Sequence, residues 1–269
     1  METQSKFRLL SFLALIVFVL VGYFIYSQGY IGTLQKQNLD FGSKFDPQGT
    51  LYFSLIPIDG KAKSGIYSFT MGDKDVKRVL VDDALNASPS LTPGGKLVFS
   101  RKESGEEYFQ IFSMELNGIG LKKITSSPRL YKREPVVSHD GTKIAFVAQV
   151  VDEGLNPTLP RAWRLLVTDL NGKEEYVTRG VNPIFSPDNT KLLVLREKGL
   201  YIFDLKKNAS NIPEDGKVGV LVLPSDGESN LQIMKFSVSP DNSKLLWSDP
   251  KSGKVGLYSL TWEPFKLTL

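Results

Sequence analysis

Histidine is the commonest general base in enzymes, and this chain contains one, His139. A Ser-His-Asp triad would have to use His139, and the sequence has no Gly-x-Ser-x-Gly motif to supply the nucleophile. His139 stands between Ser138 and Asp140-Gly141, in a run of residues that is typical of tight turns. We therefore interpret His139 as a turn residue and predict no catalytic residue.

Metal and cofactor sites find equally little support in the residue types. A zinc site needs several His or Cys ligands, and the chain has no cysteine. Calcium needs only oxygen ligands, and Asp140, Asp188 and Asp241 recur in similar contexts, but we expect each to bind its own turn. A glycine-rich phosphate loop is also missing from the sequence. The sequence thus predicts no metal and no cofactor.

The recurring aspartates belong to a sequence motif that occurs five times along the chain. The clearest copy, residues 182–195, contains the turn-forming Ser186-Pro187-Asp188-Asn189 and then a short apolar run of strand length. The turn residue recurs at intervals of about 46, 46, 48 and 53 residues, at Pro47, Pro93, His139, Pro187 and Pro240. Such a period indicates one supersecondary unit per repeat.

Two further strand-like runs follow each copy of the motif. After the second copy, residues 108–118 and 121–125 are joined by Asn117-Gly118, a strong signal for a hairpin. Equivalent runs lie at 65–69 and 76–81, 164–172 and 175–178, 200–205 and 218–223, and 255–260 and 265–269. The sequence therefore predicts the all-β class, with four strands in each repeat.

The repeat resembles that of the TolB-like β-propellers, relatives of the WD-repeat proteins, over residues 44–269. The resemblance is carried by Ser-His-Asp-Gly-Thr-Lys-Ile-Ala-Phe at 138–146, Gln-Ile-Phe-Ser-Met-Glu-Leu-Asn-Gly at 110–118 and Ile-Thr at 124–125. His139 replaces the family's proline, and the turns at 47–49 and 93–95 lack the aspartate. The resemblance implies a single β-propeller. TolB itself is expected to have six blades and a separate domain, whereas five four-stranded blades are countable here, closed by packing of the first blade on the last.

One enzymatic class stays open, because some five-bladed propellers are glycoside hydrolases. Those enzymes place a pair of carboxylates in the central channel for acid and base catalysis. The candidates here are the predicted loop carboxylates Asp82, Asp83, Glu134, Asp226 and Glu228, and nothing in the sequence marks two of them as a pair. The alternative function is therefore a propeller that binds or hydrolyses a carbohydrate in its channel.

The N-terminal region contains an uncharged apolar run at residues 9–26, long enough to cross a bilayer as a helix. Lys6 and Arg8 precede it and favour a cytoplasmic N-terminus. A cleaved signal peptide is the rival interpretation, but the run is long and no clean cleavage site follows. We predict a cytoplasmic segment 1–8, a transmembrane signal anchor 9–26, a tether 27–43 and a propeller 44–269, in the periplasm or outside a prokaryotic cell.

The charge pattern does not indicate a nucleic-acid partner, because the formal net charge of +4 is spread along the chain. Two segments stand out instead: a basic cluster with an aromatic residue at 129–133, and an insertion at 149–163 that is too long for a tight hairpin. A solvated loop and an insertion without a role are the plain interpretations. The sharper interpretation makes the basic cluster a contact for an anionic partner or a lipid head group, and makes the insertion a binding loop.

We expect the partner to be another envelope protein or a cell-envelope polymer, bound by a non-enzymatic scaffold. The loops expected to contribute are 82–86, 129–134, 179–182 and 226–230, together with the insertion. The candidate partner-binding residues are Arg129, Lys132, Arg133, Glu134, Asp152, Arg161, Trp163, Arg179 and Asn182.

Overall fold

The computed structural model describes residues 44–45, 49–55, 65–70, 72–127, 130–150, 162–196, 199–206, 219–224, 235–239, 243–249 and 254–262. All of them belong to one compact unit, residues 41–56 and 63–269, whereas the second unit, residues 1–40 and 57–62, lies outside these ranges. No helix within the described ranges is long and apolar enough to cross a membrane. The predicted cytoplasmic segment, the anchor at 9–26 and the tether at 27–43 lie outside the described residues.

The described residues form nineteen strands in five antiparallel sheets, which we label A to E. Sheet A contains β1 (Lys44–Phe45), β2 (Thr50–Leu55), β3 (Gly65–Thr70) and β4 (Lys77–Val81). Sheet B contains β5 (Leu85–Leu91), β6 (Lys96–Lys102), β7 (Gln110–Glu115) and β8 (Lys122–Lys123). Sheet C contains β9 (Leu130–Val137), β10 (Lys143–Val150), β11 (Trp163–Asp169) and β12 (Glu174–Arg179). Sheet D contains β13 (Val181–Phe185), β14 (Lys191–Arg196), β15 (Gly199–Asp204) and β16 (Val220–Pro224), and sheet E contains β17 (Lys235–Val238), β18 (Lys244–Asp249) and β19 (Lys254–Ser259).

Strand order within each sheet follows the sequence, so that every sheet is a simple meander. The first strands of sheets B, C and D lie against one another, β5 beside β9 and β9 beside β13. This places the first strands of sheets B, C and D on the inside and their last strands on the outside. The arrangement confirms the predicted all-β class and is consistent with a β-propeller. The fourth strand predicted for the last repeat, residues 265–269, lies outside the described residues.

Apolar clusters between neighbouring sheets hold the unit together. Leu97 and Phe99 of β6 pack towards sheet A, whereas Val98 between them packs towards sheet C. Likewise Ile144 and Phe146 of β10 face sheet B, and Ala145 faces sheet D. A strand that is buried on both faces has to be apolar at consecutive positions. This explains why continuous apolar runs, rather than alternating ones, follow the turns.

The repeated turn satisfies its own polar groups. Asp140 Oδ1 accepts hydrogen bonds from Ser138 Oγ at 2.6 Å, from Thr142 N at 3.0 Å and from Thr142 Oγ1 at 2.9 Å. Ser138 Oγ in turn accepts a hydrogen bond from Lys143 N at 2.9 Å. Asp188 makes the same kind of contacts with Ser186 and Thr190. The prediction that these aspartates bind their own turns is confirmed for Asp140 and Asp188, and Asp241 lies outside the described residues.

Neighbouring turns also contact one another. The backbone N–H of His139 donates to Oδ1 of Asn189 in the next turn at 2.7 Å. A proline, which the family repeat has at this position, has no N–H to donate. We call the end of the sheets that carries the β5–β6, β9–β10 and β13–β14 turns the turn face, and the opposite end the loop face. His139 is thus a turn residue, as predicted, and it links sheets C and D at the turn face.

Glycine at the outer hairpins permits close approach between sheets. Gly172 has φ +86, and a Cβ at this position would overlap the carbonyl oxygen of Ile124, just after β8. Gly118 has φ +83, and its Cβ would lie 3.3 Å from the carbonyl oxygen of Val79 in β4. Each Asn-Gly hairpin therefore rests on the outer edge of the preceding sheet, which only a residue without a side chain allows.

Replacement of Gly172 by alanine should destabilise the protein more than the same replacement at Gly105. Both glycines have φ near +85, but a Cβ on Gly105 meets nothing within 4 Å. The strain of positive φ, about 1 kcal/mol, is therefore common to both variants. The overlap with Ile124 should add about 1 to 3 kcal/mol to Gly172→Ala. Urea unfolding of the full-length protein measures both, and equal losses of unfolding free energy would contradict the close packing.

The turn aspartates should contribute to stability only above acidic pH. Hydrogen bonds from Ser186 and Thr190 lower the pKa of Asp188 from 3.8 to about 2. Because the pKa is lower in the folded state, the contribution is complete above pH 3.8 and is lost as the pH falls towards 2. Asp188→Asn should therefore be less stable than the wild type at pH 7, with a difference that shrinks below pH 4. Unfolding curves recorded from pH 7 to pH 2 test this, and a constant difference would disprove it.

Candidate partner-binding face

The meander brings most of the predicted partner-binding residues to the loop face. Strand direction alternates within a sheet, so the starts of first and third strands lie at the same end as the ends of second and fourth strands. Trp163 begins β11, Arg179 ends β12 and Asn182 is the second residue of β13. Arg133 and Glu134 lie in the middle of β9, and the side chain of Arg133 reaches Trp163. Arg129, Asp152 and Arg161 lie outside the described residues.

The structure brings Arg133, Glu134 and Trp163 into contact. The guanidinium carbon of Arg133 lies 4.5 Å from the centroid of the Trp163 ring, a cation–π arrangement. Nη2 of Arg133 is 3.6 Å from Oε1 of Glu134, and both side chains are partly exposed. Nε of Arg133 is buried without a hydrogen-bond partner among the described residues. The guanidinium therefore lies over the ring, and its buried Nε–H donor is unsatisfied.

Aromatic side chains form an apolar border beside this arginine. The rings of Phe109 and Tyr131 are tilted at a centroid distance of 5.0 Å. Burial raises the pKa of Tyr131, and the positive charge of Arg133 partly opposes that shift. Tyr131 also packs against the cluster between sheets C and D that contains Trp163. A neutral tyrosine and an indole thus support the charged group.

Lys132 corrects one part of the sequence prediction. Residues 130–133 were expected in a solvated loop, but they belong to β9, and Lys132 is completely buried. Its Nζ lies 2.7 Å from Oε1 of Glu174, whose Oε2 accepts a hydrogen bond from Ser127 Oγ at 2.6 Å. Burial lowers the pKa of Lys132, and Glu174 acts in the opposite direction. Lys132 therefore holds the fold together and cannot present its charge to a partner.

Trp163 was also expected in a loop, as the end of the insertion. It begins β11 instead and is 5% exposed, because its register with Gln149 of β10 turns the indole into the core. The buried indole of Trp163 contacts the guanidinium of Arg133, and the ring is not exposed for contact with a ligand.

Three first strands carry a bulge that the sequence analysis did not identify. Ser88, Glu134 and Asn182 have positive φ values of 51°, 53° and 55°, and a proline follows each. The pairing register of β5, β9 and β13 shifts at these points. Positive φ is costly for residues other than glycine and concentrates at functional positions. A sequence signal was available, because the prolines at 89, 135 and 183 each stand four residues before the turn residue of their repeat.

Asp82, one of the candidate carboxylates for glycoside hydrolysis, does not fit the role of the general acid. Oδ2 of Asp82 accepts a hydrogen bond from Nη1 of the buried Arg101 at 2.7 Å, and Oδ1 accepts one from Asn86 at 3.0 Å. Burial acts to raise the pKa of Asp82, but these bonds outweigh it and the pKa is lowered. A general acid needs a raised pKa. Asp226 and Glu228 lie outside the described residues.

Arg196 and Tyr201 were missed by the sequence analysis. Arg196 ends β14, and its guanidinium carbon lies 5.4 Å from the ring centroid of Tyr201 in β15. Tyr201 packs against the same cluster as Trp163. Arg101 and Arg196 both stand five residues after the lysine that follows the turn, Lys96 and Lys191. This shared position in the repeat could have identified Arg196.

No model of a known protein family matches the chain, and no curated protein matches it. Among solved structures, the hydrazine synthase of Kuenenia stuttgartiensis has a TM-score of 0.57 at 15% identity, over 82% of this chain and 71% of that one. A chain of the nidogen/laminin complex has a TM-score of 0.51 at 10% identity, over 82% and 80%. TolB from Acinetobacter baumannii has a TM-score of 0.49 at 22% identity, over 63% of this chain.

These similarities bear on the fold alone, because every identity is below 25%. The two reported neighbours with TM-scores above 0.5 each cover 82% of this chain, so the arrangement of its sheets recurs in known structures. The match with the Acinetobacter TolB covers 41% of that protein, less than half of its length.

The buried ion pair allows a test of the structural role of Lys132. Glu174→Gln should lower the unfolding free energy by about 3 to 5 kcal/mol, because it leaves the Lys132 ammonium buried without a counter-charge. Lys132→Met combined with Glu174→Gln should recover part of this loss, since both charges are then removed. Urea unfolding of the full-length variants measures the coupling. Additive losses in the double variant would show that Lys132 and Glu174 do not form the pair.

Proposed function

We propose that the protein is a non-enzymatic scaffold, a membrane-anchored propeller of five blades whose loop face binds another protein of the cell envelope. The observation that supports this proposal is the cation–π contact of Arg133 with Trp163 at the loop face. Glu134 lies beside Arg133 there. Arg179 and Asn182 end and begin the adjacent strands. In this proposal residues 9–26 anchor the chain, residues 1–8 are cytoplasmic, and the propeller lies in the periplasm or outside a prokaryotic cell.

The composition of the loop face supports binding rather than catalysis. Arginine is enriched among the residues that dominate the energy of protein interfaces. Here Arg133 belongs to a strand and lies over the buried ring of Trp163, so a partner would not have to order it. Asp82, by contrast, is committed to Arg101.

The structural neighbours show that this fold hosts different activities. One neighbour is named as a hydrazine synthase, and another was solved in a complex of nidogen with laminin. Fold similarity alone therefore does not decide between enzyme and binding module, and the residues at the loop face carry the proposal.

Site-specific photocrosslinking of the full-length protein in its native membrane tests the proposed function. A photoreactive residue in place of the exposed Asn182 at the loop face should capture a protein partner. The same residue in place of Ile119, which is 67% exposed in the β7–β8 turn at the turn face, is the matched control. The proposal expects capture from position 182 and little from position 119.

Equal capture from both positions would place the contact elsewhere. Retention of polysaccharide or peptidoglycan fragments without any protein would reject the protein scaffold and favour a ligand-binding channel. Partner capture should also decrease in Arg133→Ala, and unchanged capture there would remove Arg133 from the interface.

A further inference from the structure

We propose that the cleft between sheets C and D at the loop face binds an acidic segment of the partner protein, with Arg133 and Arg196 as paired carboxylate receptors. The inference rests on the proposed function and specifies the chemistry of its partner. It depends on three observations. Two arginines lie over aromatic rings of one apolar cluster, and a glycine contacts the strands that carry both arginines. Arginines also predominate at the loop face of sheets C and D, whereas lysines predominate at the turn face.

The two arginines stand over rings of the same cluster. Arg133 lies over Trp163 of sheet C, and Arg196 lies over Tyr201 of sheet D. Trp163 and Tyr201 both belong to the cluster that fills the space between these sheets. The guanidinium groups therefore lie on the two sheets that flank this cluster, each over an aromatic ring.

Gly180 joins the supports of the two arginines. Its N–H donates to the carbonyl oxygen of Trp163 at 2.9 Å. A Cβ on Gly180 would lie 2.6 Å from Cγ1 of Val194, 2.7 Å from the carbonyl oxygen of Leu195 and 3.4 Å from Cγ of Arg196. Its φ of +152 also lies in the region that favours glycine. The segment between β12 and β13 thus sits in direct contact with both halves of the cleft.

Basic residue types are distributed unequally between the faces of sheets C and D. The described loop-face ends carry four arginines with partial exposure, and Glu134 is the carboxylate that we find there within the described ranges. These arginines are Arg133, Arg164, Arg179 and Arg196. The turn-face ends carry lysines instead, Lys143, Lys173 and Lys191. Arginine is favoured where a planar fork has to match a carboxylate, which a lysine cannot do.

A carboxylate of the chain itself lies beside one of the two stacked arginines. Within the chain, Glu134 already brings a carboxylate oxygen to 3.6 Å from Nη2 of Arg133. This distance shows that a carboxylate fits beside the stacked guanidinium.

The cleft favours a peptide over an anionic polysaccharide. Tyr131, Val181 and Tyr201 are only partly buried and border the arginines. They offer contacts to apolar side chains, which a protein segment has and a carboxylated sugar polymer lacks. The expected ligand is therefore a short segment with acidic residues next to apolar ones, bound by bidentate hydrogen bonds to the two arginines.

Selection from a phage-displayed library of random peptides on the purified full-length protein tests the inference. The enriched peptides should contain Asp or Glu beside apolar residues. Binding of a synthetic peptide of the enriched sequence should weaken by about tenfold or more in Arg133→Gln and in Arg196→Gln, the loss expected for hydrogen bonds to a charged group. Arg133→Lys with Arg196→Lys should restore only a small part of the affinity, because the charge remains without the fork.

The control variant, Lys122→Gln with Lys173→Gln, removes two positive charges from exposed residues at the turn face and should bind as the wild type does. Enriched peptides without acidic residues, or equal binding by the arginine variants and the wild type, would overturn the inference. Binding of alginate that requires both arginines, without selection of acidic peptides, would also overturn it and indicate a carboxylated polysaccharide.

The two proposals fail in different ways. If position 182 captures a protein partner but the arginine variants bind the selected peptides normally, the scaffold function stands and the acidic-segment inference is wrong. If acidic peptides bind through Arg133 and Arg196 but no protein is captured in the membrane, the cleft chemistry stands and the envelope-protein function is wrong. Thermal unfolding of each variant verifies that a loss of binding is not a loss of folding.

Discussion

Burial of both faces of each inner sheet is the constraint on which the rest of the structure depends. Leu97, Val98 and Phe99 are consecutive, and they point alternately to the sheets on either side of β6. Such a strand cannot be stable in a sheet that stands alone, because one apolar face would remain in water. Each repeat therefore needs a neighbour, and the stacking of sheets fixes where the ends of all strands lie. The two faces follow from this stacking.

The turn face and the loop face perform different physical tasks. At the turn face, Asp140 and Asp188 have their carboxylates satisfied by the hydroxyl and backbone groups of their own turns. A link such as the one from His139 to Asn189 joins neighbouring turns. Carboxylates whose hydrogen bonds are made within their own turns are poorly placed to bind a ligand. The loop face differs from sheet to sheet, because its connections vary in length and its strand ends carry different side chains.

Charged residues near the loop face have two roles that their types alone do not separate. Lys132 and Arg101 are buried and paired with Glu174 and Asp82, so they contribute to the arrangement of the sheets. Arg133 and Arg196 lie on aromatic rings and remain at the surface of the cleft between sheets C and D. Lys132 and Arg101 illustrate how a buried charge requires a counter-charge. Arg133 and Arg196 illustrate how an aromatic ring can hold a guanidinium without neutralising its charge.

The sequence by itself determined the all-β class, the repeat, most of the strand positions and the roles of Asp140, Asp188 and His139 as turn residues. These features depend on local chemistry, because turn hydrogen bonds join residues two to five positions apart. Only the tertiary structure decided that Lys132 is buried, that Trp163 begins a strand and that Asp82 pairs with Arg101. The partner of Lys132 lies 42 residues away, and that of Asp82 lies 19 away. A basic residue next to a predicted loop is indistinguishable in sequence from a solvated one until strand register and sheet packing bring its distant partner to it.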